Sequence, residues 1–222
     1  MSDRWATFDC YGTLVDWNAG IGRELVRVLG GDEAELLARY HECEPQVQAR
    51  DPAMPYRQVM ATVLEELARE RGVELDDADR DALGRSLPSW PFFPEVPDAL
   101  RELRARGWKL AALTNSDPDL IEASVEAMGV PFDLLIPASS IGSYKPAHGH
   151  WEAFWEQSGA DRSRYVHIAQ SHFHDIVPAN ELGLPSIWIN RLGETGEPPP
   201  TRELPDLTRA PDVADELVPD SR

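Results

Sequence analysis

Trp5-Ala6-Thr7-Phe8-Asp9-Cys10-Tyr11-Gly12-Thr13-Leu14 opens on a short β-prone run, reaches a carboxylate, and passes straight into a Gly-Thr pair. A run that is apolar throughout, rather than alternating, is what a strand covered on both faces shows. Leu110 to Leu113, Leu134 to Ile136, Tyr165 to Ala169 and Ile187 to Ile189 repeat the pattern. Helical spacing fills the intervals. Leu100 and Leu103 lie within 98–106, which stops at Gly107. Ile121, Val125 and Met128 follow Asp117 as N-cap and Pro118 at N1, and Gly129 ends that helix. Trp151, Phe154 and Trp155 form one further stripe, and Ile176, Ala179 and Leu182 another, closed by Gly183. Alternation of strand and helix predicts an α/β fold, a doubly wound parallel sheet with helices on both faces.

Residues 17–90 break this rhythm. Ile21, Leu25 and Val28 make one apolar helix face, Leu36, Tyr40 and Cys43 a second, and Tyr56, Met60, Val63 and Leu67 a third; a weaker helix runs through Leu83 and Leu87. The pattern predicts an all-helical cap at 17–90, inserted after the first strand of a core made from 1–16 and 91–222. Pro88, Pro91, Pro94 and Pro97 mark the return to the core, and the tail from Glu197 reads as an extended wrap with a short helix near Val213 to Leu217.

The chain has 222 residues, 42% hydrophobic and 27% charged, which is enough to bury a substantial core. Its net charge of −18 repels phosphate backbones and anionic lipid, so neither nucleic acid nor a membrane is an expected partner. A small anionic substrate would need local donors to overcome that field. No run approaches the roughly 18 apolar residues of a membrane span. The first residues form no signal-peptide pattern, and two cysteines make no disulfide framework, so a cytoplasmic location is expected.

Open parallel sheets bind ligands beyond the carboxyl ends of their strands. Asp9, Thr114-Asn115, Lys145 and Asp175 all fall at or just past such ends. Each is commonplace alone: a strand-end Asp is usually a turn residue, Lys145 a surface lysine, Asp175 a helix cap. Their order is what carries weight.

In that order the chain resembles the haloacid dehalogenase superfamily, with a Rossmann-like core. Phe8 to Leu14 is similar to its first motif, Leu113-Thr114-Asn115-Ser116 to the second, Tyr144-Lys145-Pro146 to the third, and 169–175 to the fourth. The resemblance implies that Asp9 is a covalent nucleophile, that Thr13 orients it, that Lys145 keeps it ionised and that Asp175 activates water. Superfamily phosphatases place a second Asp two residues after the nucleophile, and an acidic Mg²⁺ ligand in the fourth motif. This chain has Tyr11 and Gln170 there. Tyr at the first position is similar to the (S)-2-haloacid dehalogenases, which need neither metal nor other cofactor; a halide leaves without a proton.

The same resemblance implies a substrate carboxylate held by Thr114 and by backbone N–H groups around Cys10 and Tyr11, with Asn115 beside the leaving halide. Arg39, or its neighbours Tyr40 and His41, would supply the cap contact to the halide. Gln170 and His172 stand where related enzymes have Ser and Asn, and Trp151 where they have Tyr. A homodimer is also compatible with it. Two rival readings share the fold: a Mg²⁺-dependent phosphatase of small metabolites, and a non-catalytic binding protein. The pairs His148/His150 and His172/His174 lack a clear third metal ligand and read as loop and pocket-lining residues.

Overall fold

The computed structural model describes residues 2–51 and 54–220, so the outermost ends of the expected core, Met1 and 221–222, lie outside the described residues. β1 (Arg4–Phe8) is buried along its whole length. Four helices follow: α1 (Trp17–Leu29), α2 (Glu33–Arg50), α3 (Tyr56–Arg71) and α4 (Ala82–Ser86). Among the described residues, 17–89 contain no strand.

The helix ends have local causes. Asp16 accepts from the Ala19 N–H at 3.1 Å and Asp32 from the Glu35 N–H at 3.0 Å, each satisfying an orphan first-turn donor. α3 begins after Pro55, which has no side chain to cap it. Asp117, from the core, takes the place: its two oxygens accept from the Tyr56 and Arg57 N–H groups at 3.1 and 2.8 Å. Tyr144 donates to the Met54 carbonyl at 2.6 Å close by. At the other side of this helical layer, Val15 bridges to Phe92, so the chain leaves and re-enters the core at one place.

The rest is α5 (Val96–Ala105), β2 (Trp108–Thr114), α6 (Pro118–Met128), β3 (Leu134–Pro137), α7 (Ala138–Ile141), α8 (Gly149–Ser158), β4 (Tyr165–Ala169), α9 (Val177–Glu181), β5 (Ser186–Ile189), β6 (Arg202–Leu204) and α10 (Ala210–Leu217). The strands form one six-stranded sheet, ordered β3-β2-β1-β4-β5-β6, with every pair parallel. Ala6, Phe8, Leu110 and Ile168 turn to the face covered by Leu100 and Leu103 of α5 and Val213 of α10. Trp5, Ala111, Leu113 and Tyr165 turn to the face covered by Trp151 and Phe154 of α8 and Ala179 of α9. This is the doubly wound arrangement expected from the sequence. A third cluster fills the helical layer and runs into Cys10 and into Leu120 and Ile121 of α6. Burying one such leucine or phenylalanine is worth about 1.5–3 kcal/mol, which fastens the helices to the strand ends.

The tail departs from expectation in one respect. Part of the extended wrap is a strand, β6, paired with β5 at Ile187–Arg202, Trp188–Glu203 and Ile189–Leu204. Arg202 and Glu203 are exposed and only Leu204 is buried, so no apolar run announced it.

Candidate active site

β1 lies at the centre of the sheet, with β2 on one side and β4 on the other, and Asp9 stands just past its carboxyl end. That is the point where the strand order reverses and a crevice opens. The loop after Asp9 turns on Gly12, whose φ of 94° favours glycine; an added Cβ would also meet the Gln170 Oε1 at 3.2 Å.

Both oxygens of Asp9 are held. Thr13 Oγ1 donates to Oδ2 at 2.7 Å, and Lys145 Nζ donates to Oδ1 at 2.9 Å. Thr13 Oγ1 accepts in turn from the Gln170 N–H at 2.9 Å, which ties the loops after β1 and β4 together. Lys145 spends its other two protons on Asp175 Oδ1 at 2.7 Å and the Leu113 carbonyl at 2.8 Å. Burial works against its charge, but Asp175 and Asp9 outweigh it and hold the ammonium above its ordinary pKa. Asp175 is fully buried on a π-helical turn, His172–Ile176. Burial raises its pKa, yet Lys145 and then His167 bring it down to about 2. Among the described residues its Oδ2 has no partner. An ionised, buried carboxylate with one free oxygen can take a proton from a water molecule placed beside it.

His167 was not singled out in the sequence. Its Nε2 lies 2.9 Å from Asp175 Oδ1, and its Nδ1 lies 2.8 Å from Thr7 Oγ1, which is 2.7 Å from the Tyr165 hydroxyl. The Trp151 ring packs edge-on against it, with centroids 5.3 Å apart. A histidine inside a strand otherwise made of buried apolar residues was the available signal, since a buried polar group must find partners.

Asp9, Tyr11, Thr114, Asn115, Lys145, Gln170 and Asp175 line one cleft of about 880 Å³ between the sheet and the helical layer. The Thr114 hydroxyl is buried and has no partner among the described residues. Among the described residues, the N–H groups of Cys10 and Tyr11 donate to no protein acceptor, while the next two amides are taken by Val15 and Cys10 carbonyls. Asn115 exchanges two hydrogen bonds with the Lys145 backbone, 2.9 and 2.7 Å, and so fixes the loop that carries the lysine. The Tyr11 hydroxyl is engaged 3.1 Å from Ser124 Oγ, and burial above all pushes its pKa well up.

Two expected contacts, Arg39 and His172, are not in the cleft. Arg39 lies on the outer face of α2, where Glu70 takes two of its N–H groups at 2.9 and 2.5 Å and Glu42 a third at 2.8 Å. His172 stacks edge-on against Trp188 and bonds the Pro198 carbonyl at 2.9 Å, so it fastens the tail. The Cys10 side chain points into the apolar cluster, leaving only its backbone to the site. The helical layer instead presents Trp17, Asn18, His41, Glu44, Gln48 and Tyr56. His41 stacks on Trp17, 5.0 Å between centroids and 9° from parallel.

A haloacid dehalogenase-like hydrolase model matches residues 4–183. The chain belongs to the haloacid dehalogenase-like hydrolases. Within this family it is 34% identical over 195 residues to the (S)-2-haloacid dehalogenase of Pseudomonas sp. (strain YL), covering 86% of this chain and 84% of that one. It is 28% identical over 201 residues to haloacetate dehalogenase H-2 of Moraxella sp. (strain B), covering 86% and 89%. The L-2-haloacid dehalogenase of Xanthobacter autotrophicus, solved with chloropropionic acid covalently bound, superposes with a TM-score of 0.84 at 18% identity, covering 95% of this chain and 98% of that one. Phosphatases of this superfamily use Mg²⁺, and the residues of this site do not fit it. Tyr11 and Gln170 bring no negative charge, and the two carboxylates already share the Lys145 ammonium. Among the described residues no three His, Cys, Asp or Glu side chains are gathered to hold a metal. No described helix is long and apolar enough to cross a membrane.

Proposed function

We propose that this hydrolase removes halide from 2-haloalkanoic acids through an ester formed on Asp9. The observation that carries the reading is the Asp9–Lys145–Asp175 set: a nucleophile held at both oxygens, beside a second carboxylate with one oxygen free. In the first step an Asp9 oxygen attacks C2 of the substrate, the carbon–halogen bond breaks and halide departs with the electron pair. In the second, Asp175 Oδ2 takes a proton from water and the hydroxide adds to the Asp9 carboxyl carbon; the bond from that carbon to the ester oxygen then breaks, the departing alkoxide takes the proton back from Asp175 and leaves as the 2-hydroxy acid, and Asp9 gives up its remaining proton to solvent. Lys145 balances the charge that moves between the carboxylates. Thr114 and the Cys10 and Tyr11 amides supply donors for the substrate carboxylate, and His167 holds Asp175.

A phosphatase needs an acid for its alkoxide leaving group. Here the residue at that place, Tyr11, has its hydroxyl turned to Ser124 and its proton held tightly, which favours a leaving group that needs none. The unbridged, buried Cys10 and Cys43 suit work in a reducing cytoplasm.

A single turnover in ¹⁸O water, with enzyme in excess, tests the mechanism. The first product should be unlabelled and the peptide containing Asp9 labelled. Label in the first product would mean direct attack by water and would end the ester mechanism; phosphate release with no halide release would end the dehalogenase reading itself.

A further inference from the structure

The cleft is far roomier than a three-carbon haloacid requires: about 880 Å³, a size that takes drug-sized ligands. Among the described residues lining it, Lys145 and Arg191 are the Lys and Arg side chains, and both are ion-paired, Arg191 to Glu95 at 2.6 Å. The roof holds acceptors instead. Glu44 is half-buried on α2 and opens onto the cleft; the Tyr56 hydroxyl donates to its Oε1 at 2.7 Å, and among the described residues no cation pairs with it. Pro45, the next residue, also lines the cleft and has no N–H to give the His41 carbonyl. Carboxylates of Asp16, Glu194 and Asp206 stand around the remaining wall.

Resting on the dehalogenase reading, we infer that the substrate is a 2-haloacid whose chain carries an ammonium group, bound by the Glu44 carboxylate in the roof. One end of the cleft offers N–H and O–H donors to a carboxylate, and the other offers negative charge. A zwitterionic chain satisfies both. A second anion such as phosphate would meet Glu44 without a compensating cation.

The groups around Glu44 also give the site a signature. Tyr56 faces it from α3 and Tyr40 from α2; burial first, with the Glu44 charge adding, pushes both phenols well up, so they stay protonated. His41, from the same helix, has its pKa lowered by burial. Asp9, Lys145 and Asp175 stand on the floor of the cleft. Burial alone holds the Glu44 carboxyl up at about 7, against the lowering effect of the Tyr56 hydrogen bond. A bound ammonium favours the ionised form, so preference for it grows as pH rises through that value.

The experiment compares halide release from 4-amino-2-chlorobutyrate with 2-chlorovalerate, and from 6-amino-2-chlorohexanoate with 2-chloroheptanoate, each against an enzyme-free control. Within each pair a methyl group replaces the ammonium. A charge-assisted contact should favour one amino substrate by about tenfold or more in kcat/KM, rising with pH through neutrality. In Glu44→Gln the ratio should fall to near unity and lose its pH dependence. Wild-type ratios near unity for both pairs overturn the inference and leave the dehalogenase reading intact, because halide is still released. No halide from any of the four compounds, nor from 2-chloropropionate, overturns both. If Glu44→Gln fails to fold, the wild-type ratios and their pH profile decide alone; a tenfold preference that survives in a folded Glu44→Gln assigns the ammonium to another carboxylate and overturns the role of Glu44.

Discussion

Replacing Lys145 by methionine removes one charge and leaves two carboxylates without it. The side chains of Lys145 and Asp175 are almost wholly buried, at 1% and 0% exposure, and that of Asp9 is 11% exposed. Asp175, lowered from 3.8 to about 2, carries a stabilisation of about 2 kcal/mol. Its folded pKa lies below the unfolded one, so this contribution is present above about pH 4 and is lost as pH falls through about 2. Deleting one partner of a buried pair costs ~3–5 kcal/mol, and Lys145 serves two carboxylates, so the upper part of that range is expected near neutral pH. Without the ammonium, burial becomes the dominant influence on Asp175 and favours its protonated form. The deficit of Lys145→Met should therefore shrink by about half at mildly acid pH, where the neutral form costs little. Urea unfolding of both proteins at the two pH values, followed by far-ultraviolet circular dichroism, measures this. A deficit under about 1 kcal/mol that is the same at both would refute the idea that these three groups form one electrostatic unit.

Three further outcomes are expected. Arg39→Ala should leave kcat/KM within about twofold and cost under about 1 kcal/mol of stability, because its ion pairs are exposed and lie outside the cleft; a loss of turnover in the folded variant would return the halide contact to this residue. His167→Phe should lower kcat roughly 10- to 100-fold with KM little changed, as a hydrogen bond to a charged group is worth ~1.5–3 kcal/mol, and mass spectrometry should find the Asp9 ester accumulating. An unchanged kcat, or a rise in KM alone, would reduce His167 to a packing role. Halide release after exhaustive chelation should equal release with added Mg²⁺, since Tyr11 and Gln170 bring no charge to a metal; activity only with Mg²⁺ would restore the phosphatase reading.

Strand-forming runs and Gly stops carried the core of the fold into view, because two-sided burial leaves an unbroken apolar signature at β1, β2 and β4. β6 had none, being three residues at the sheet edge with two exposed. At the site, Asp9, Thr13, Lys145 and Asp175 could be singled out because each lies on a segment beyond the carboxyl end of β1, β3 or β4, in the order of the motifs that the chain resembles. The cap contacts were not. Helical periodicity gives the buried stripe of α2, Leu36, Tyr40, Cys43 and Val47, but not which flank of that stripe faces the sheet. Arg39 and His41 flank Tyr40 on opposite sides, and only packing against α1 and α3 decided that the histidine enters the cleft. His167 escaped for a different reason: alternation places it on one face of β4 with Tyr165, but nothing local says that Asp175, eight residues later, returns to meet it.

The Asp117 carboxylate gives the helical layer a latch. The Val15–Phe92 bridge joins the two chain crossings and can serve as a hinge, while across the layer Asp117 holds the first turn of α3, with Tyr144 on the Met54 carbonyl and the Arg57–Asp119 ion pair beside it. Any swing that lifts α3 from α6 must strip Asp117 of two backbone donors at once, and each charge-assisted bond is about twice as strong as a neutral one. Much of the resistance to opening thus lies in groups that make no contact with the Asp9 nucleophile. The strength of that latch can be tuned by evolution, one substitution at a time, with the reacting carboxylates left as they are.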